Sequence, residues 1–545
     1  MKKSIIKNIL SIAALGTIAT SCNSWLDGVP NKSSVLEETV WETEESAESY
    51  LNGFYTYIDK YGQFGGNQYS GALTESLTDA FKYGSSTLGY RAGHENQYVM
   101  MPEVITVGSN HLSLWGTAYT NIRRINQYLR DMERYSTYGE EKETVWKAQA
   151  LFLRALVYFN LAKRHPGVII YDDLPTDGQK ARSTEEETWD FIEADLEYAA
   201  AHLPKTWNSA NEGRITYGAV KAFQSRVFLY AKRWQKAYDA AVEVEKLEQE
   251  GIYGLVNDYT QAWKGSNKEA ILQFFYRSLN GPSHNFDKNY VPACDGYEYG
   301  ATGTPTQEMV ECYETKTGEK FDWEPWHSGS NTTRPPYEEL EPRFAASVIY
   351  PGSVWKGRTM DCSVDGVNGT YMDYDSKDYS WGQTTTGYFL KKLLDENLID
   401  VQGTASSQTW VDIRYAEVLL NKAEAAYMLG KEASEYQAPM NRVRARVGLP
   451  AKTSTGEEWF ADYRNERKVE LAYEGHLYWD MVRWRRCHIE YNNYRCHGFK
   501  IEGGNYTYVD VDHADRRFLE RQYVVPIPAD EMRNNSLIEQ YPEWK

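Results

Sequence analysis

The chain is 545 residues long, carries a formal net charge of −18, and holds 43 tyrosines and 17 tryptophans. This length is well above one minimal domain, and so acidic a chain with no basic patch repels phosphate backbones, which excludes nucleic acid as a partner. After Cys22 the cysteines are Cys294, Cys312, Cys362, Cys487 and Cys496, odd in number, with no C-x-x-C and no zinc spacing; with no phosphate loop either, the sequence implies no metal and no cofactor.

Lys2, Lys3 and Lys7 form a basic start, and residues 9–19 an uncharged, mostly apolar run. That run is too short to span a bilayer but suits a signal-peptide core. Ala19, Thr20 and Ser21 then precede Cys22, an order that resembles a bacterial lipobox with alanine at the usual leucine position. Residues 1–21 therefore read as a lipoprotein signal peptide and Cys22 as the lipidated mature N-terminus. Acyl chains contribute roughly 0.8 kcal/mol per buried methylene, so several together anchor a protein stably. The competing reading is an ordinary secretory leader with an incidental Cys22.

Residues 61–98 are rich in Gly, Ser, Tyr and Asn, with Asp79, Tyr83 and Arg91 among them. Helical periodicity takes over from about residue 110 to 256. "HLSLWGTAYTNIRRINQYLRDM" supplies half of a helix pair. "WKAQALFLRALVYFNLAKRHPG" sets Ala148, Leu151, Ala155, Tyr158, Phe159 and Ala162 along one stripe. Its partner, "STEEETWDFIEADLEYAAAHLP", opens with a capping signal at Ser183 or Thr184. "YGAVKAFQSRVFLYAKRWQKAYDAAVEVEKL" reads as a second pair turning at Lys232-Arg233. Residues from about 257 to 408 lose this periodicity and fill with Gly, Pro, Tyr, Trp, Asn and Asp. From about 409 the pattern returns, with "DIRYAEVLLNKAEAAYMLGKEASEYQAPMNRVRARVGLP" as a third pair turning at Gly430-Lys431. Small residues at close contacts and roughly 34 residues per pair resemble tetratricopeptide units. The fold expected is mostly α: a scaffold of helix pairs over about 110–256 and 409–486, packed against irregular aromatic-rich regions over about 61–98 and 257–408. Long ordered loops on a rigid scaffold are where ligands usually bind.

The stretch "NERKVELAYEGHLYWDMVRWRR", residues 465–486, looks at first like chemistry, with Glu470, Glu474, His476 and Asp480 close together. Apolar positions surround these charges, so the segment reads as one packed helical element. Its glutamates are expected to pair with arginines of the same stretch or of "NRVRARVG", because an unpaired buried ion is very unfavourable. Two acids on adjacent turns of a buried helix give a substrate no access, and His476 alone holds no metal.

The chain resembles the SusD/RagB family of outer-membrane nutrient-binding lipoproteins of Bacteroidetes. The resemblance rests on the order of "SCNSWLD", "LFLRALVYFNLAKRHPGV", "RITYGAVKAFQSRVFLYAKRWQKAYDAA", "IRYAEVLLNKAEA", "MNRVRARVGLP", "ERKVELAYEGHLYWDMVRW" and "VVPIPADEMRNNSLIEQYP". It implies one SusD-like domain over residues 22–545, with about four tetratricopeptide-like helix pairs and no catalysis. It implies an outer-membrane lipoprotein, lipid-anchored at Cys22 and facing the cell exterior. Its role would be to capture oligosaccharide or polysaccharide as the lid of a SusC-like TonB-dependent outer-membrane transporter.

Sugar rings offer an apolar face and a fringe of hydroxyls, so a site for them combines flat aromatics with carboxylates, amides or guanidinium groups. On that chemistry the glycan-binding candidates are Trp323 and Trp326 in "FDWEPWHSGSN", Tyr297 and Tyr299 in "CDGYEYG", and Asp79, Tyr83 and Arg91. Two other functions stand against this one: a glycoside hydrolase with acids from the aromatic loops, and a protein-interaction scaffold without a small ligand. Aromatics outside the helices argue against the scaffold. The lack of a nucleophile, triad or metal motif argues against the enzyme.

Overall fold

The computed structural model describes residues 37–62, 74–84, 96–175, 177–277, 281–376 and 382–545. Cys22 and Arg91 lie outside these described residues.

Among the described residues eleven helices carry the scaffold: α1 Glu44–Gly53, α2 Thr56–Tyr61, α3 Trp115–Tyr135, α4 Glu140–Ala162, α5 Glu185–His202, α6 Tyr217–Tyr230, α7 Trp234–Gln249, α8 Tyr415–Met428, α9 Ala433–Arg446, α10 Gly456–Glu470 and α11 Leu477–Arg483. Each helix from α3 to α9 packs on the next, so the pairs stack side by side. From Ala148 to Ala162 every residue of α4 is buried. A helix apolar on all sides belongs in the middle of a stack, and α4 lies against both α3 and α5. Start and stop signals act where the sequence places them. Thr184 and Glu187 form a reciprocal capping box at the start of α5. Lys232 (φ 56°) and Gly430 (φ 66°) adopt left-handed conformations in the turns that close α6/α7 and α8/α9.

The irregular segment is bracketed by two antiparallel strands, β2 Ala270–Phe274 and β8 Trp410–Arg414, which pair where the chain leaves the scaffold after α7 and returns to it before α8. Between them lie short elements: β3 Gly303–Pro305, β4 Val348–Ile349, β5 Val354–Trp355, β6 Arg358–Thr359 and β7 Phe389–Leu390. β3 pairs with β1, Phe81–Tyr83, and β4 with β7. Near the C-terminus β9 His497–Glu502 and β10 Asn505–Asp510 form a hairpin over the turn Gly503-Gly504, both at positive φ. Two apolar cores result. One fills the helix stack, and the other, rich in Tyr and Trp, fills the irregular region.

Between the two cores lies the 465–486 stretch, which is two helices and not one. After α10 ends, Tyr473 (φ 63°) and Gly475 (φ 82°) turn the chain left-handed before α11 begins. The break lets Glu474 reach back to Lys392 (2.6 Å) and Arg414 (2.8 Å). Glu470 takes Arg414 at 2.6 Å, Arg343 at 3.0 Å and Arg446. Glu466 takes Arg444 at 2.9 Å and Arg343, and Arg467 binds Asp480 at 2.6 Å. Burial by itself would raise the Glu470 carboxyl, but Arg446, Arg414 and Arg343 outweigh it and hold it well below the carboxylate range. Burial, with Arg467 and Arg226 beside it, pushes the His476 imidazole far down, so it is neutral. These charges are the joint between scaffold and irregular region, paired inside the protein and closed to ligand.

Candidate functional site

Pairing of β1 with β3 brings residues 80–84 against residues 301–306, the segment that follows Tyr297 and Tyr299, with Tyr83 opposite Gly303 and the Gly84 N–H donating to the Thr302 carbonyl at 3.1 Å. A side chain at Gly84 would sit 1.9 Å from the Ala301 carbonyl oxygen, so only glycine allows this approach. The 382–386 segment joins them, the Ala293 N–H donating to the Gly382 carbonyl at 3.0 Å.

The loop that carries Tyr297 and Tyr299 is held at its root by Asp295. This buried carboxylate accepts the Trp355 indole N–H at 2.9 Å and pairs with Lys356 at 2.9 Å and with Arg358. Gly296 (φ 89°) then turns the chain outward. Tyr297 is half-buried with the Lys288 ammonium 4.7 Å from its ring centre. Tyr299 is 41% exposed, its ring 5.5 Å from that of Tyr297, and a hydrogen bond with Glu298 raises its phenol pKa. The pair forms a bent aromatic shelf beside a cation.

The other candidates are placed differently. Trp323 and Trp326 are 5% and 7% exposed and belong to the second core, packed on Phe321, Tyr337 and each other. Pro325 opens a single helical turn, Glu324–His327, that turns both indoles inward, and the Trp326 N–H donates to the Thr333 carbonyl at 2.8 Å. The expectation that these two indoles bind glycan is corrected: they fill a core with Phe321, Tyr337 and other residues of the irregular region. Tyr83 is likewise buried. The Asp79 carboxylate, half-buried, binds Lys468 of α10 at 2.8 Å and so anchors its loop to the scaffold. Lys288, Trp355 and Arg358 were not singled out in the sequence. No spacing marks them, since Trp355 meets Asp295 across 60 residues of chain.

No group of three or more His, Cys, Asp or Glu side chains among the described residues is placed to hold a metal, and no helix among them is long and apolar enough to cross a membrane. The class is thus a helix-pair scaffold whose buried charged clusters close on themselves, joined to an irregular region that carries the Tyr297 and Tyr299 rings.

Comparison with known proteins gives the class its family. A model described as the SusD family matches residues 268–544, and one described as starch-binding associating with outer membrane matches residues 24–229. The chain belongs to the SusD family, whose members are non-catalytic glycan-binding proteins associated with the outer membrane. It is 24% identical over 530 residues to SusD-like protein P2 of Formosa agariphila, covering 93% of this chain and 94% of that one. Among solved structures it is similar to a SusD-like protein of Bacteroides fragilis, with TM-score 0.77 and 26% identity over 93% of this chain and 98% of that one. A SusD-like carbohydrate binding protein of the same species aligns with TM-score 0.75 and 23% identity, over 92% and 100%.

Proposed function

We propose that the protein captures oligosaccharide on the shelf formed by Tyr297 and Tyr299 and delivers it to a SusC-like TonB-dependent transporter, over which it closes as a lid. The observation that carries the reading is the exposed Tyr299 ring beside the half-buried Tyr297, on a loop held at Asp295 and next to Lys288. Ring faces stack on the apolar face of a sugar, while Lys288 and Glu298 offer a donor and an acceptor to its hydroxyls. Arg91 belongs to this proposal on sequence grounds. The transporter partnership, the anchor at Cys22 and display on the cell exterior follow from the leader and from the family resemblance.

The test is isothermal titration of wild type, Tyr297→Ala and Tyr299→Ala with the oligosaccharide that the wild type selects from a glycan array. Loss of one stacked ring is expected to weaken binding by ~1–3 kcal/mol, roughly five- to more than a hundredfold. Normal binding by both variants would place the site elsewhere. Release of reducing sugar from the bound glycan would make the protein a hydrolase. For the anchor, Cys22→Ala is expected to move the protein from the membrane to the soluble fraction.

A further inference from the structure

A cavity of about 500 Å³ opens on the helical scaffold, between α1, the start of α4 and the connection that leads into α6; Glu48, Tyr138, Trp146, Gln149, Trp207 and Arg214 help line it. A second, of about 300 Å³, lies between the same connection and β2, with Lys205, Thr206, Tyr253 and Leu272 in its walls. Both are lined by Trp207 and Arg214, so they adjoin across these two side chains. Neither cavity includes a residue of the tyrosine shelf.

The shared residues are held in place by the chain itself. The Trp207 indole N–H donates to the Ile215 carbonyl at 2.9 Å, which fixes a half-buried ring that packs on the helix core and lines both cavities. Arg214 donates to Asn211 at 2.8 Å, to Gln149 at 3.1 Å and to Glu48 at 3.3 Å. Tyr55 also interacts with this guanidinium, so Arg214 is held in place while its edge lines both cavities. Gly213 (φ 89°) permits the loop to fold this closely: a side chain there would meet the Phe275 ring at 2.6 Å. Tyr138 adds another half-buried ring, its hydroxyl tied to the Trp41 carbonyl at 2.7 Å and its face 5.7 Å from Trp146. The charges nearby are mixed, and each cation is already paired with a carboxylate: Lys205 of the smaller cavity, which Glu212 also lines, binds Glu250 at 2.6 Å, and Arg214 binds Glu48. Glu48, Glu140 and Glu141 line the larger cavity with Arg214 and Lys142, and Lys142 is paired with Glu44 at 2.5 Å. Such a lining disfavours phosphate, sulfate or uronate ligands.

We infer that the two cavities form one track for a short linear run of a neutral oligosaccharide, a second binding site on the scaffold with Trp207 as the platform between its halves. Each volume lies within the usual range for small-ligand sites, about 300–1,000 Å³. Rings for stacking, a guanidinium and carboxylates as hydrogen-bond partners are the groups that recognise uncharged sugars. The ligand class rests on the glycan-binding reading above, whereas the site is independent of the shelf.

The experiment screens the full chain on an array of neutral and acidic oligosaccharides. The selected neutral sugar is then titrated by calorimetry into wild type, Tyr299→Ala, Trp207→Ala and Thr206→Trp, beside a thermal melt of each. Thr206 is exposed on the rim of the smaller cavity, so a tryptophan there fills the track without removing a core contact, and this variant decides the matter if Trp207→Ala fails to fold. The expected result is a stoichiometry of two that falls to one in Tyr299→Ala and to one in the track variants, or at least about a tenfold loss at the second site. Track variants that titrate as wild type overturn the track; if Tyr299→Ala then abolishes binding, the shelf stands without it. Loss of both sites in Tyr299→Ala overturns the independence of the track, and a preference for acidic sugars overturns its ligand class. A wild type that binds nothing on the array overturns both sites, and a track that holds only a transporter peptide overturns the saccharide reading.

Discussion

Residues 293–299 and residues 321–326 read alike: each combines acids and aromatics with polar, turn-rich neighbours, and each lies in the irregular region. The structure separates them. Asp295 sinks into a cluster of Trp355, Lys356 and Arg358 and thereby lifts Tyr297 and Tyr299 outward. Pro325 opens a turn that sends Trp323 and Trp326 into the second core. A rigid anchor is thus common to both segments, and what differs is which side of it the rings fall on. Polar neighbours in sequence do not tell an exposed ring from a buried one, because the core that receives a ring comes from distant segments.

The strongest way to break this contrast is through the buried members. Glu470→Ala removes a carboxylate shared by three buried arginines and leaves an uncompensated positive charge in the joint between the cores, although Arg414 keeps Glu269 and Glu474, Arg343 keeps Glu341 and Glu466, and Arg446 keeps Glu269. A loss of ~3–5 kcal/mol is expected, or failure to fold, with glycan binding per folded molecule unchanged. A melt near that of wild type with binding lost would move Glu470 into the ligand site. Trp326→Ala should also cost about 3–5 kcal/mol through the cavity it leaves, again without changing the affinity of the folded fraction. Weakened binding at an unaltered melting temperature would show that the indole stacks on sugar after all.

An effect of similar or smaller size is expected from Glu75, buried and accepting the Gly475 N–H at 2.7 Å. Burial holds its carboxyl at about 7 against an ordinary 4.5. The folded state therefore binds the proton more tightly than the unfolded one. Stability from this group is full below pH 4.5, falls as pH rises towards about 7, and stays reduced above that. The difference is on the order of 3 kcal/mol. Glu75→Gln keeps an acceptor for Gly475 and should raise the melting temperature above pH 7 but not below 4.5. Equal shifts at both ends would rule out titration as the cause. The smallest effect on stability belongs to the shelf: Tyr299→Ala should change the melt by less than about 0.5 kcal/mol while weakening glycan binding. A large destabilisation would make Tyr299 a structural residue and dissolve the contrast.

Much of the scaffold was legible because helices announce themselves locally. The stripe from Ala148 to Ala162, the cap at Thr184 and the turns at Lys232 and Gly430 each depend on neighbours within a few residues, and each lies where the sequence puts it. The structural character of the 465–486 stretch was also legible, since so many charges among apolar residues demand partners. Its partners were only partly so: "NRVRARVG" supplies Arg444 and Arg446, but Arg343, Lys392 and Arg414 come from the irregular segment and β8.

The sequence by itself thus determined the helix pairs, the acidic surface and the existence of an aromatic-rich region outside the helices, all of which follow from composition and short-range periodicity. Only the tertiary structure decided which aromatics reach the surface. Exposure at Tyr299 depends on Asp295 meeting Trp355 and Lys356, and burial at Trp323 depends on Phe321 and Tyr337 closing over it. Contacts between segments many residues apart leave no periodic trace in the chain, because each partner is chosen by the packing of the whole region and not by its neighbours in sequence.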